Sequence, residues 1–176
     1  MARLAVDPRE IPQLAIEAAS LSDTTALLTA ARGIRRRAGH RPAMWIAMGK
    51  YGLPSRTAPA HFGSAWSYAS DPGGPAAAPG HLSPEQLSSL YRVGQATGEW
   101  PLYAVLGSPV AHSLSPAFHN RRFQEENREA DYIPVRGKDM PAFFAFAEAV
   151  DIRGVSVTVP HKVAALALAT DASGKW

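Results

Sequence analysis

Two serines two residues apart mark the first place where this chain could do chemistry. The stretch GSPVAHSLSP, residues 107–116, follows the apolar run LYAVL and precedes a helical segment. Ser113 and Ser115 therefore stand where a strand gives way to a helix. Two hydroxyls beside the free N–H groups of a helix start suit the oxygens of a carboxylate or another anion. A capped turn accounts for Ser115 alone, because Ser-Pro is a good helix start; it leaves Ser113 unexplained. A second loop, VTVPHK, ends the strand-like GVSVTV, residues 154–159. Alternation puts Ser156 and Thr158 on one face and Val157 and Val159 on the other. Lys162 follows at the next helix start, a position the helix dipole disfavours. It reads either as a solvated lysine or as a cation aimed into a cleft, a proton donor or anion partner. A third loop, MGKYGLPSR, carries two glycines and Arg56. A guanidinium there suits a bidentate carboxylate contact, and a surface arginine in a turn is the plainer reading.

The elements that must position these groups alternate in type. IPQLAIEA (11–18) and AMWIAM (43–48) read as buried strands, with the helical SLSDTTALLTAARGIRRR between them. GKYGLPSR reads as a loop, and APAHFGSAWSYA as a short helix followed by another apolar segment. SPEQLSSLYRVGQA (83–96) carries the clearest helix signature: Ser83 at the N-cap, Pro84 at the first helical position and Gln86 completing a capping box. Leu87, Leu90, Tyr91 and Gly94 share one face of it. TGEWP (97–101) breaks the pattern, and a domain boundary is expected there. Beyond it come strand 102–106, a helix from Ser115, strand DYIPV, helix DMPAFFAFAEAV, strand 154–159 and helix HKVAALALA. In DMPAFFAFAEAV the expected buried face is Met140, Phe143, Phe144 and Ala147. Strands alternating with helices on both sides predict an α/β fold with parallel sheets. The three candidate loops then lie at the C-terminal ends of strands, the edge where such folds bind ligands.

Composition excludes several other chemistries. The 176 residues include no cysteine, so disulfides, thiol nucleophiles and Cys-ligated zinc are out. The six histidines form no pair at ligand spacing, and no metal is expected. No G-x-S-x-G, H-E-x-x-H, P-loop or G-x-G-x-x-G occurs. The formal charge is +3, and much of the excess lies in RGIRRRAGHR, residues 32–41. A solvated helix end explains that cluster better than a nucleic-acid patch, since no reader motif accompanies it. No apolar run reaches membrane-span length and no signal-peptide pattern opens the chain, so no membrane partner and a cytoplasmic location are expected.

Taken together, YAVLGSPVAHSLSPAFHN and the later GVSVTVPHK resemble the N-terminal substrate domain of shikimate dehydrogenase. The resemblance implies that Ser113 and Ser115 bind the substrate carboxylate, that Lys162 is the catalytic lysine, and that Thr158 lines the site. Many members have Asn where this chain has Ser156, a mild departure because serine also hydrogen-bonds. The first half resembles the C-terminal part of type I 3-dehydroquinate dehydratase, a (β/α)8 barrel, through MWIAMGKYGLPSR, HFGSAWSYA and AAAPGHLSPEQL. Arg56 matches that family's carboxylate-binding arginine. The two families occur fused in this order in bifunctional proteins. The expected architecture is therefore a partial barrel over residues 1–98, followed by a partial α/β substrate domain over 99–176.

The dehydratase half departs from its family at the site itself. IPQLAI puts Gln13 where the family carries its Schiff-base lysine, and an amide forms no Schiff base with a ketone. Ala77 and His81 replace the Ser and Gln usual around APG. A decayed dehydratase is expected. The dehydrogenase reaction would be the NADPH-dependent conversion of 3-dehydroshikimate to shikimate, but no NADP site is visible in this sequence. A closed barrel takes about 250 residues, more than are present here. The chain is therefore expected to be a fragment, inactive alone, that retains part of a shikimate-binding site. The competing expectations are a non-catalytic binding or regulatory module, and one half of a split enzyme whose complementing chain carries the Rossmann domain.

Overall fold

Short apolar runs become strands, and each strand feeds a helix. A computed structural model describes residues 10–38, 41–71 and 82–169. In it β1 (Gln13–Glu17) leads to α1 (Leu21–Ala38), and β2 (Met44–Met48) to the short α2 (Leu53–Thr57). Then β3 (Leu102–Gly107) leads to α3 (Ser115–Glu125), β4 (Asp131–Arg136) to α4 (Met140–Val150), and β5 (Ile152–Val157) to α5 (Lys162–Leu168). The strands form two parallel sheets, β1–β2 and β4–β3–β5. Parallel neighbours need crossover connections, which the intervening helices provide. The α/β class expected from the alternation is the observed class.

Local chemistry starts the longest helix. The Ser20 N–H donates to Asp23 Oδ2 at 2.9 Å, and the Asp23 N–H donates to Ser20 Oγ at 3.3 Å. This reciprocal pair satisfies two N–H groups that the helix would otherwise leave open. Arg35, Arg36 and Arg37 fall in the last turn, where they complement the helix dipole. Part of the basic cluster is thus a helix end.

Side-chain alternation gives the three-stranded sheet two different faces. Leu102, Ala104 and Leu106 of β3 and Ile133 and Val135 of β4 enter the larger core. That core also takes Leu27, Leu28 and Ala31 of α1, Trp45 and Ala47 of β2, and Met140, Phe143, Phe146 and Val150 of α4. Helix α1 packs on α4, so the segments on either side of TGEWP meet in one apolar cluster. The other face carries a smaller core of Val105, Val110, Phe123, Ala130 and Tyr132, with Tyr103 against it.

Three local expectations are corrected. GKYGLPSR is not all loop, because its second half forms α2, with Pro54 in the first turn. The buried face of α4 is Met140, Phe143, Phe146 and Val150, whereas Phe144 is exposed. In the apolar segment after residue 62, Ala69 makes a single bridge to Leu82. The helix opened by Ser83 and Gln86 keeps its reciprocal hydrogen bonds, but it ends in a π-helical turn, Gln86–Leu90. Arg92 then takes φ +47. Its guanidinium leaves the helix direction to meet the carbonyls of Arg128 and Ala130, a tertiary demand that overrides local propensity.

Candidate functional site

The C-terminal edge of the β4–β3–β5 sheet gathers the polar groups. Val105 of β3 pairs with Ser156 of β5, which puts Ser156 on the face of the smaller core. Just past β5, the Thr158 N–H donates to the Leu106 carbonyl at 2.9 Å. The Ser108 N–H donates to the Val159 carbonyl at 3.1 Å, which ties the serine loop to the strand end opposite. Gly107 makes this approach possible. A Cβ there would lie 2.6 Å from Thr158 Cγ2, closer than two carbons can stand. The Ser108–Pro109 and Val159–Pro160 peptide bonds, one in each loop, are both cis.

The two serines divide their tasks differently from the expectation. Ser115 is the first residue of α3 and does not cap it; the cap position is Leu114. Ser113 Oγ accepts the Ser115 N–H at 3.3 Å, so Ser113 is the one tied to the helix start. The Ser115 side chain turns instead toward the buried Tyr132 hydroxyl, which Ser156 also reaches. Burial raises the Tyr132 pKa, and the two serine side chains act against that rise. Ser113, Ser115, Ser156 and Thr158 are thus brought to one edge.

Lys162 begins α5 at the same edge, with an exposed side chain. The preceding His161 is buried, and its Nε2 lies 2.9 Å from the Gly137 carbonyl, pinning the turn to the loop after β4. Lys162 is therefore held by its backbone while its stem stays free.

Arg56 is not part of this cluster. Its helix α2 packs on β2 and β4, among Tyr51 and Ala58 of the larger core. The residue is 2% exposed, and its Nε and Nη1 have no hydrogen-bond partner. Burial lowers its pKa. A sealed guanidinium with open N–H groups is not the surface arginine that a turn would imply. Gln13, at the start of β1, accepts a hydrogen bond from the Tyr68 hydroxyl at 2.8 Å. Ala77 and His81 lie outside the described residues. Among the described residues no group of side chains could hold a metal ion. Among them, too, no helix is long and apolar enough to cross a membrane.

Sequence reasoning passed over Tyr132, Asn120 and Gly107. Tyr132 and Pro134 alternate with Ile133 and Val135 in DYIPV, so the pattern marked Tyr132 as facing away from the larger core. Nothing local in the sequence pairs it with Ser115.

Comparison with known proteins agrees with both halves. Residues 105–175 match the family model of the shikimate dehydrogenase substrate binding domain, and residues 2–97 match that of type I 3-dehydroquinase. The chain is 30% identical over 125 residues to the chloroplastic bifunctional 3-dehydroquinate dehydratase/shikimate dehydrogenase of Arabidopsis thaliana, covering 71% of this chain and 21% of that protein. It is 32% identical over 126 residues to the shikimate biosynthesis protein AroDE of Chlamydia pneumoniae, covering 70% and 26%. It is 45% identical over 74 residues to the shikimate dehydrogenase (NADP(+)) of Anaeromyxobacter sp. (strain Fw109-5), covering 41% and 26%. The chain thus spans between 21% and 26% of the length of these relatives. With residues 2–97, more than half of its length, matched by one model and most of the rest by the other, the chain belongs to the type I 3-dehydroquinase family and continues into a shikimate dehydrogenase substrate-binding segment, the pairing found in bifunctional shikimate-pathway proteins.

Proposed function

We propose that the sheet edge built by Ser113, Ser115, Ser156 and Thr158 binds the carboxylate and ring hydroxyls of shikimate or 3-dehydroshikimate. One observation carries the reading: the Ser108–Val159 hydrogen bond joins the serine loop to the strand end after β5, and the Ser115 and Ser156 side chains meet at the Tyr132 hydroxyl. Ser113 and Ser115 donate to the carboxylate. Ser156 and Thr158 meet the ring hydroxyls. Lys162 supplies a cation and a transferable proton at the reacting carbon. The division at residues 98 and 99, with the dehydratase-like part before it and the substrate-binding part after it, belongs to this reading.

Relatives carry NADP(+) in their names, and hydride transfer is the chemistry such a cofactor supplies. Within this sequence no glycine-rich strand-to-helix turn fits a dinucleotide. This chain is assigned binding, orientation and a positioned proton. Arg56 is assigned to the carboxylate of a dehydroquinate-type ligand in the first half, supported by its unpartnered buried N–H groups. Gln13 denies that half the covalent route.

Ligand-observed NMR with shikimate tests the proposal. Binding is expected, and Ser115→Ala should weaken it roughly tenfold or more, the worth of a hydrogen bond to a charged group. Equal binding by the wild-type chain and a Ser113→Ala/Ser115→Ala double variant would sink the reading. The chain alone should not reduce NADP with shikimate, and borohydride should trap no adduct with 3-dehydroquinate.

A second reading, a split enzyme completed by another polypeptide, is favoured by the uncovered flank of β5 and α5. Val159, Val163, Leu166 and Leu168 are all more than half exposed there, an apolar patch that folded monomers normally cover. DNA following the Trp176 codon decides between the forms. A separate reading frame encoding a Rossmann-type domain supports the split enzyme, and an in-frame continuation replaces it with a single longer chain.

A further inference from the structure

Tyr132 is held more firmly than a core tyrosine needs to be. Its N–H donates to Asn120 Oδ1 at 2.7 Å, and its carbonyl accepts from Asn120 Nδ2 at 2.8 Å. Its ring lies against the His119 imidazole, with centroids 4.4 Å apart and planes 18° from parallel. Backbone and ring are both fixed, so the hydroxyl has one place to be. His119 stands four residues after Ser115, which puts both on one face of α3. A phenol stacked under His119 therefore lies under the face that carries Ser115.

The hydroxyl at the end of that ring is buried, and no partner meets it in good hydrogen-bond geometry. The whole residue is 4% exposed. Its polar neighbours are the Ser156 and Ser115 side chains, one from each loop of the site. A buried hydroxyl without a partner is destabilising, and phenylalanine would fill the same space without that cost.

We propose that Tyr132 is a positioning residue of the carboxylate site, its hydroxyl lying beneath Ser115 and Ser156, accepting from Ser156 and donating to Ser115, so that the Ser115 hydrogen is directed at the bound ligand. The inference rests on the carboxylate-binding reading given above. A serine hydroxyl has one hydrogen and two lone pairs. The phenol has a single hydrogen to give: donated to the Ser115 oxygen, it leaves the Ser115 hydrogen for the ligand, while Ser156 donates to the phenol oxygen. A bound carboxylate then polarises the chain from Tyr132 through serine to ligand oxygen, strengthening each link.

The test labels tyrosine at Cζ and follows the full chain by carbon NMR, with the Tyr132 signal assigned by its loss in Tyr132→Phe. Ser115→Ala and Ser156→Ala should each move that signal, and Thr29→Ala, at an exposed position of α1, should not. A signal unmoved by both site variants overturns the inference. Shikimate titration should show Tyr132→Phe binding roughly fivefold more weakly, the scale of one net hydrogen bond, at an unchanged or higher Tm. Equal affinity in the two chains overturns the inference and leaves the carboxylate site standing. A lower Tm with unchanged affinity marks a purely structural hydroxyl and also overturns it. If the wild-type chain does not bind shikimate at all, the carboxylate reading falls and takes the inference with it.

Discussion

Arg92 Nη2 lies 3.6 Å from Asp131 Oδ1, with the carboxylate fully buried and the arginine nearly so. The same guanidinium donates to the Arg128 carbonyl at 3.2 Å and to the Ala130 carbonyl, and it lies 4.4 Å above the Trp100 ring. The segment after residue 90 is thereby fastened to the start of β4. Removing one partner of a buried pair strands the other. Arg92→Leu should therefore destabilise the chain by about 3–5 kcal/mol at neutral pH. Asp131→Asn should cost clearly less, because Arg92 keeps its two carbonyls and an amide needs no counter-charge. Urea denaturation of the two variants checks the order; the reverse order would refute this account.

Acid titration should reveal two opposed groups. Burial pushes the Asp131 carboxyl up to about 6, against the pull of Arg92. Its folded value lies above its unfolded value. It therefore contributes stability that is present below about pH 4 and lost as pH rises through 6. His61 is the opposite case: burial, then the Arg32 charge, lowers it to about 4. Its contribution is present above pH 6.5 and lost as pH falls toward 4. Each displacement is worth about 3 kcal/mol, one against the other, so the wild-type profile should be nearly flat across this window. Asp131→Asn should leave a chain that weakens on acidification, and His61→Gln one that strengthens. Parallel profiles for the two variants, measured by chemical denaturation from pH 4 to 6.5, would refute it.

Asn120 replaces a missing strand. Strand β4 is an edge strand of its sheet, and the outward N–H and carbonyl of Tyr132 would be open in the smaller core. The buried carboxamide satisfies both. Asn120→Ala should cost about 2–4 kcal/mol, since two buried backbone groups lose their partners together. Asn120→Asp retains the acceptor but turns a carboxylate oxygen on the Tyr132 carbonyl and buries an unpaired charge, and at neutral pH should cost at least as much as Asn120→Ala. Thermal unfolding of the three chains gives the ranking.

Gly107 has no room for a methyl group. An added Cβ would meet Thr158 Cγ2 at 2.6 Å and the Pro109 carbonyl oxygen at 3.3 Å. Gly107→Ala should destabilise by about 1–3 kcal/mol through overpacking. It should also push Thr158 out of line, so shikimate affinity should fall more than in Thr158→Ser. An affinity equal to wild type would show that the close approach of the two loops does not shape the site.

The two sheets and most of their helices were legible in the sequence because their signals are local. Hydrophobic runs, capping residues and β/α alternation act within a few positions, and they predicted β1 to β5, α1 and α3 to α5 close to where they lie. The motifs around Ser113, Ser115, Thr158 and Lys162 were legible for the same reason: each sits on a short loop or on the first residue of the helix that follows it, places set by near neighbours.

What the sequence could not determine depends on groups far apart along the chain. Arg92 breaks a well-capped helix because its partners are 36 or more residues away. Arg56 looks like a turn arginine until α2 is pressed against β4 and buries it. Ser113 takes the bond at the helix start, while Ser115 meets a tyrosine of β4 that only folding brings beside it. By itself, then, the sequence determined the α/β class, the order of elements and the residue types at the sheet edge, since period and capping are properties of neighbours. Tertiary structure alone decided which hydroxyl faces which, and which charges are sealed from water, because burial is set by segments that meet only when the chain has folded.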